Sequence, residues 1–102
     1  MDKSLKWGII APGKIAHQFA KDLKISQNGK LHAIASRSEL KAREFARMYG
    51  ADFAFGNYEK MLTETELDAV YIASPHTFHA EHTLMCLEHK IPVLCEKPLA
   101  MN

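Results

Sequence analysis

Leu5-Lys6-Trp7-Gly8-Ile9-Ile10-Ala11-Pro12-Gly13-Lys14-Ile15-Ala16 is the stretch on which the fold turns. Leu5 to Ile10 predicts a first strand, and Ala11-Pro12-Gly13 punctuates it. Ile15, Ala16, Phe19, Ala20 and Leu23 then recur at helical spacing, and Asn28-Gly29 is expected to close that helix. The same alternation continues outward. Leu31 to Ala35 predicts a second strand. Ser38 to Tyr49 predicts a second helix, with Leu40, Ala42, Phe45, Ala46 and Tyr49 apolar and Gly50 as its stop. A short strand around 52–54 and a helix from the N-cap Asn57 to about Glu64 follow. Asp68 opens Ala69-Val70-Tyr71-Ile72-Ala73, a continuous apolar run suited to a strand buried on both faces. Thr77 to about His89 is helical in pattern, with Phe78, Leu84, Met85 and Leu87 available to cover the sheet, and Pro92 to Cys95 predicts a last strand.

Five strands alternating with helical segments predict an α/β fold, a doubly wound parallel sheet. Right-handed crossovers place the first two helices on one face and the later ones on the other. They also align the ends at Ile10, Ala35, Ala73 and Cys95 along one rim, and in open α/β sheets ligands bind at that carboxyl rim.

Composition narrows the class. The 102 residues suffice for one domain, with 47% hydrophobic and 25% charged residues. The net charge of +1, with both signs interspersed, gives no basic patch for nucleic acid or a membrane surface. No apolar run approaches a spanning helix, and Met1-Asp2-Lys3-Ser4 leads directly into a strand. Cys86 and Cys95 fall in a helix and a strand, as small reduced hydrophobes, which fits a cytoplasmic location. Trp7, Met48, Met61 and Met85 are expected to be structural, core or half-buried filler.

Four places on the rim carry residues able to do chemistry. Ala11, Pro12, Gly13, Lys14 and Ile15 occupy the position of a dinucleotide fingerprint, G-x-G-x-x-G/A, with Ala16 at its last place. Gly13 permits close approach of a pyrophosphate, and the helix beginning there offers free N–H groups. Ala11 stands where the first glycine belongs, so the turn is also compatible with a merely structural β-to-α connection. After the second strand comes Ser36-Arg37-Ser38, where an NAD-preferring site has Asp or Glu on the ribose hydroxyls. Guanidinium beside hydroxyls suits a ribose 2′-phosphate instead, and Lys41 adds charge one turn on. A helix N-cap beside a solvated Arg is the plainer alternative. Ser74, Pro75, His76 and His79 follow the fourth strand, at the place of a nicotinamide ribose. Glu96 and Lys97 follow the fifth, delivering a carboxylate and an amine to the rim.

His76, His79 and His82 lie three apart, but no Cys or Asp joins them at a ligand spacing, so no metal is expected. His82 and His89 read as surface residues, and His17 and His32 as packing.

Taken together, these segments resemble the glucose-fructose oxidoreductase/inositol dehydrogenase/MocA (Gfo/Idh/MocA) family over essentially the whole chain. The resemblance makes residues 1–102 an NAD(P)-binding Rossmann domain, ending after its fifth strand. It implies hydride transfer between NADP, or NAD, and a sugar, polyol or related hydroxy compound. It makes Lys97 the acid/base lysine, oriented by Glu96, with Pro98 shaping the turn. Ser74-Pro75-His76 with His79 matches the family's Thr-Pro-Asn-x-x-His segment, His76 replacing Asn. Family members are much longer, so the C-terminal substrate domain is expected to be absent from these residues. A non-catalytic nucleotide-binding module or inert fragment is the alternative reading, and an exposed last strand is expected to make the isolated chain self-associate.

Overall fold

A computed structural model describes residues 5–10, 14–25, 29–73 and 79–95. Its elements alternate strictly: β1 (Leu5–Ile10), α1 (Lys14–Ile25), β2 (Gly29–Ala35), α2 (Glu39–Tyr49), β3 (Phe53–Phe55), α3 (Tyr58–Glu64), β4 (Ala69–Ile72), α4 (His79–Glu88) and β5 (Val93–Cys95). All five strands are parallel, in the order β3-β2-β1-β4-β5. The expected α/β doubly wound sheet is therefore present.

The helices divide between the two faces as right-handed crossovers require. On one face α1 contributes Ala16, Ala20 and Leu23, and α2 contributes Ala42, Phe45, Ala46 and Tyr49. These pack over Ile9, Leu31, Ile34 and Tyr71. Phe19 lies flat on Tyr71, ring centroids 4.0 Å apart, and meets Trp7 edge-on at 5.1 Å. On the other face, Met61 and Leu62 of α3 and Cys86 of α4 cover Ile10, Ala33, Ala35, Val70 and Ile72.

The caps follow local chemistry. Ser38 Oγ accepts the Lys41 N–H at 3.3 Å, and Asn57 Oδ1 accepts the Lys60 N–H at 2.9 Å, starting α2 and α3. Gly50 ends α2 in the left-handed conformation (φ 78°), its N–H donating to Ala46 O. Asp68 joins the two central strands: Lys6 N–H donates to its carboxylate at 2.7 Å, and its own N–H donates to Lys6 O at 2.8 Å.

Several expectations are corrected. Gly29 does not close α1, which ends at Ile25, but opens β2. A Cβ there would lie 2.9 Å from Leu23 Cδ2 and 3.1 Å from Trp7 Cδ1, so the glycine lets the strand pass beneath those side chains. β3 sits one residue later than expected, at Phe53–Phe55. Leu40 is exposed on α2 and Met48 is exposed rather than filler, whereas Met61 is fully buried. On α4 the sheet is covered by Cys86 and the half-buried Met85, while Leu84 and Leu87 face outward. Phe78 lies outside the described residues. His82 is buried, not a surface residue, its ring edge-on to Tyr58 at 4.9 Å.

Candidate functional site at the carboxyl rim

Parallel pairing brings the strand ends level. Ile10 lies opposite Ala35 and Ile72, Ala35 opposite Phe55, and Ile72 opposite Cys95. The Ala73 N–H donates to Ile10 O at 3.0 Å, extending the pairing one residue past β4. The strand ends inferred from the sequence are thus level at one rim.

Ser36, Arg37 and Lys41 are brought together at the mouth of β2. The Ser36 N–H donates to Phe55 O at 3.0 Å, tying the turn to the end of β3. Ser36 Oγ accepts the Ser38 N–H at 3.2 Å, and Ser38 Oγ accepts the Lys41 N–H at 3.3 Å. Each serine therefore spends acceptor capacity on a backbone N–H while its own hydroxyl proton remains a donor. Arg37 and Lys41 are exposed cations. The nearest acid in sequence, Glu39, is engaged by Arg43 at 2.7 Å, one turn along the helix. The turn is a donor set without a free carboxylate, which suits a phosphate dianion better than a bare ribose diol.

Sequence reading missed the neighbours of this turn. Gly56 follows β3 so closely that a Cβ would stand 3.1 Å from Glu39 Cβ, at the start of α2. Tyr58, two residues on, is half-buried, its ring edge-on to His82. Burial pushes its phenol above the usual tyrosine range, and the Arg37 charge partly opposes that rise. The only hint in the sequence is an aromatic placed directly after an Asn N-cap.

The remaining candidates, Ala11, Pro12, Gly13, Ser74, Pro75, His76, Glu96 and Lys97, lie outside the described residues. Lys14, Ile15 and His79 contribute helical backbone to α1 and α4, but their side chains also fall outside. Among the described residues no group of three His, Cys, Asp or Glu side chains could hold a metal. No helix among them is long and apolar enough to cross a membrane.

The amino-terminal end of the sheet is different in character. A cavity of about 190 Å³ there is lined by Leu23, Lys24, Gly29, Leu31, Tyr49 and Gly50. Nearby, Asp52 accepts from Lys30 at 3.0 Å and from His32 at 2.9 Å. His17 Nδ1 lies 2.6 Å from the Tyr49 hydroxyl and tilts against Phe45, a packing role as expected. None of these groups reaches the rim.

Residues 5–102 match the model of an oxidoreductase family with an NAD-binding Rossmann fold. The chain is 39% identical over 101 residues to a trans-1,2-dihydrobenzene-1,2-diol dehydrogenase of Danio rerio, covering 97% of this chain and 30% of that protein. It is 37% identical over 98 residues to scyllo-inositol 2-dehydrogenase (NADP(+)) of Bacillus subtilis, covering 96% and 30%. Among solved structures, scyllo-inositol dehydrogenase of Lactobacillus casei with bound NAD(H) and scyllo-inositol superposes with a TM-score of 0.85 at 27% identity, over 98% of this chain and 30% of that one. The chain thus spans about three tenths of the length of the relatives it matches.

Proposed function

The chain belongs to the Gfo/Idh/MocA family of NAD-binding Rossmann oxidoreductases, and from that premise we propose that it is the cofactor-binding part of an NADP-preferring dehydrogenase acting on a sugar, polyol or related hydroxy compound. The observation that carries the preference is the Ser36-Arg37-Ser38 turn, a set of donors on the rim with its one adjacent acid already paired. Arg37 would hold the ribose 2′-phosphate as a fork, with the two serine hydroxyls and Lys41 completing the cradle. Ala11, Pro12, Gly13 and the first turn of α1 at Lys14 and Ile15 would take the pyrophosphate on backbone N–H groups. Ser74, Pro75, His76 and His79 would line the nicotinamide ribose.

Hydride exchange with a substrate carbon is the chemistry that the nicotinamide supplies when bound. The chain's own part is acid/base. Lys97, oriented by Glu96, takes the substrate hydroxyl proton on Nζ in oxidation and returns one in reduction. The names of the relatives, diol and inositol dehydrogenases, support a substrate of vicinal hydroxyl type. Because those relatives are more than three times as long, we assign the substrate pocket to a further domain. Residues 1–102 alone then bind cofactor without turnover, and an open edge at β5 lets them self-associate.

The test is a fluorescence titration of NADPH and NADH, followed by absorbance at the reduced-cofactor band with a panel of polyols and sugars. Tighter NADPH binding is expected. Equal or tighter NADH binding overturns the preference, and absence of turnover in the natural full-length protein overturns the dehydrogenase reading.

A further inference from the structure

Gly56 lies at the corner between β3 and α3, and its lack of a side chain lets that corner meet the start of α2. A Cβ there would stand 3.1 Å from Glu39 Cβ and 3.5 Å from Glu39 Cα and N. The demand is for space and not for an unusual backbone, because among the described glycines Gly50 alone has the left-handed conformation. The corner itself is fixed on both sides. Before it, Phe55 pairs in register with Ala35, and Phe55 O accepts the Ser36 N–H at 3.0 Å. After it, Asn57 caps α3, its Oδ1 accepting the Lys60 N–H at 2.9 Å.

The start of α2 is held less firmly. Ser36 Oγ accepts the Ser38 N–H at 3.2 Å and Ser38 Oγ accepts the Lys41 N–H at 3.3 Å, at the long end for such bonds. Ser36 is pinned to β3, whereas Ser38 directly precedes the residue that a side chain at position 56 would push. Displacing Glu39 by a few tenths of an ångström therefore shears Ser38 away from Ser36 and opens both bonds. Charge-assisted bonds to a phosphate depend closely on donor placement, so that shear is felt there first.

We propose that Gly56 is a positioning residue for cofactor selection: by admitting the first turn of α2 against the end of β3, it keeps the Ser36 and Ser38 hydroxyls at the spacing that holds a ribose 2′-phosphate. This rests on the assignment of the Ser36-Arg37-Ser38 turn to that phosphate, and the experiment separates the two. NADPH and NADH are titrated into the natural full-length protein and into Gly56→Ala, Gly56→Val, Arg37→Ala, Glu39→Gly and the Glu39→Gly/Gly56→Ala double variant. Gly56→Ala is expected to lower the NADPH-over-NADH preference about twofold to tenfold, the loss of one hydrogen bond, with NADH affinity unchanged. Gly56→Val is expected to lower it further, and if that variant does not fold, Gly56→Ala carries the test alone. In the Glu39→Gly background the atom at 3.1 Å is gone and the other two contacts are ordinary, so Gly56→Ala is expected to change nothing there. Amide hydrogen exchange over residues 38–41 is expected to quicken in Gly56→Ala but not when the same substitution is made in the Glu39→Gly background. Unchanged preference or unchanged exchange in Gly56→Ala, equal loss of both cofactors, or a loss that persists in the Glu39→Gly background overturns the positioning role while leaving the assignment of the turn standing. An Arg37→Ala variant with unchanged preference removes the assignment, and the positioning role falls with it.

Discussion

Arg37 and Asp52 stand at opposite ends of the β2–β3 pair, and their surroundings give them opposite tasks. Arg37 is an exposed cation that forms no ion pair among the described residues. Arg37→Asp is expected to weaken NADPH binding by about 1.5–3 kcal/mol, the range of hydrogen bonds to a charged group, while NADH binding holds or improves. Calorimetric titration of both cofactors checks this. Lys97→Ala in the natural full-length protein is expected to lower kcat roughly 10²–10⁴-fold, the usual contribution of a positioned acid/base, with little change in cofactor affinity. Normal turnover near neutral pH in that variant would leave Lys97 as a plain strand-end charge.

Asp52 is committed internally. The hydrogen bond from the Lys30 ammonium holds its carboxyl below the ordinary value; burial opposes this, and the His32 ring adds to the lowering. Its folded pKa is below its unfolded pKa, so the stabilisation is present above the ordinary carboxylate range. It is lost as pH falls through the depressed value. The carboxylate is substantially exposed, so solvent screening keeps the effect small. Asp52→Asn is expected to flatten the acid side of the melting-temperature profile, leaving the neutral region nearly unchanged. An acid limb as steep as that of the parent would assign acid sensitivity to other groups.

At the scale of elements, the helix ends are local devices whose cost can be stated separately from packing. Gly50 is the clearest case. Nothing lies within 4 Å of a Cβ built there, yet its φ is 78°. Gly50→Ala therefore meets only the left-handed backbone penalty, roughly 1–2 kcal/mol. Urea unfolding with an unchanged slope and a midpoint lowered by that amount is the expected result. Gly8 is the converse. Its φ is unremarkable, but a Cβ would stand 2.8 Å from Leu67 Cδ1 and 3.1 Å from Met61 Cε, so α3 packs directly over β1. One glycine serves the backbone and the other serves the layer above it.

At the scale of the whole molecule, the sheet ends at β5 on one side and β3 on the other among the described residues. Leu94 pairs in register with Tyr71 and so shares its face, yet it is 45% exposed, because neither α1 nor α2 extends over β5. Leu84 and Leu87 add apolar surface on the outer side of α4. Unpaired edges and apolar patches of this kind promote association. Light scattering on the isolated 102-residue chain is expected to give a mass above 11.5 kDa at micromolar concentration, and Leu94→Lys to shift it toward that value. A clean monomer in the unsubstituted chain would show that the edge is covered from within.

The alternation of elements, the two capped helix starts at Ser38 and Asn57, and the stop at Gly50 were legible in the sequence. Each depends on neighbours within a few residues, through period, side-chain capping or a left-handed backbone. The donor character of Ser36-Arg37-Ser38 was legible for the same reason, as residue types at a strand end. Tertiary structure alone decided which apolar residues reach the core. Leu40, Leu84 and Leu87 are apolar yet exposed, while His82 is polar yet buried, because the angle of each helix on the sheet selects its inner face. It also decided the slip of register in which Trp7 faces Leu31 but Gly8 faces Ala33. That extra residue at His32 sends Leu31 and Ile34 to one face and Ala33 and Ala35 to the other, which strict alternation along β2 would not do. Tyr58 belongs to the same class. Its ring meets His82 of α4, far along the chain, only because α3 and α4 cover the same face of the sheet, a choice made by packing between layers and not by any local pattern.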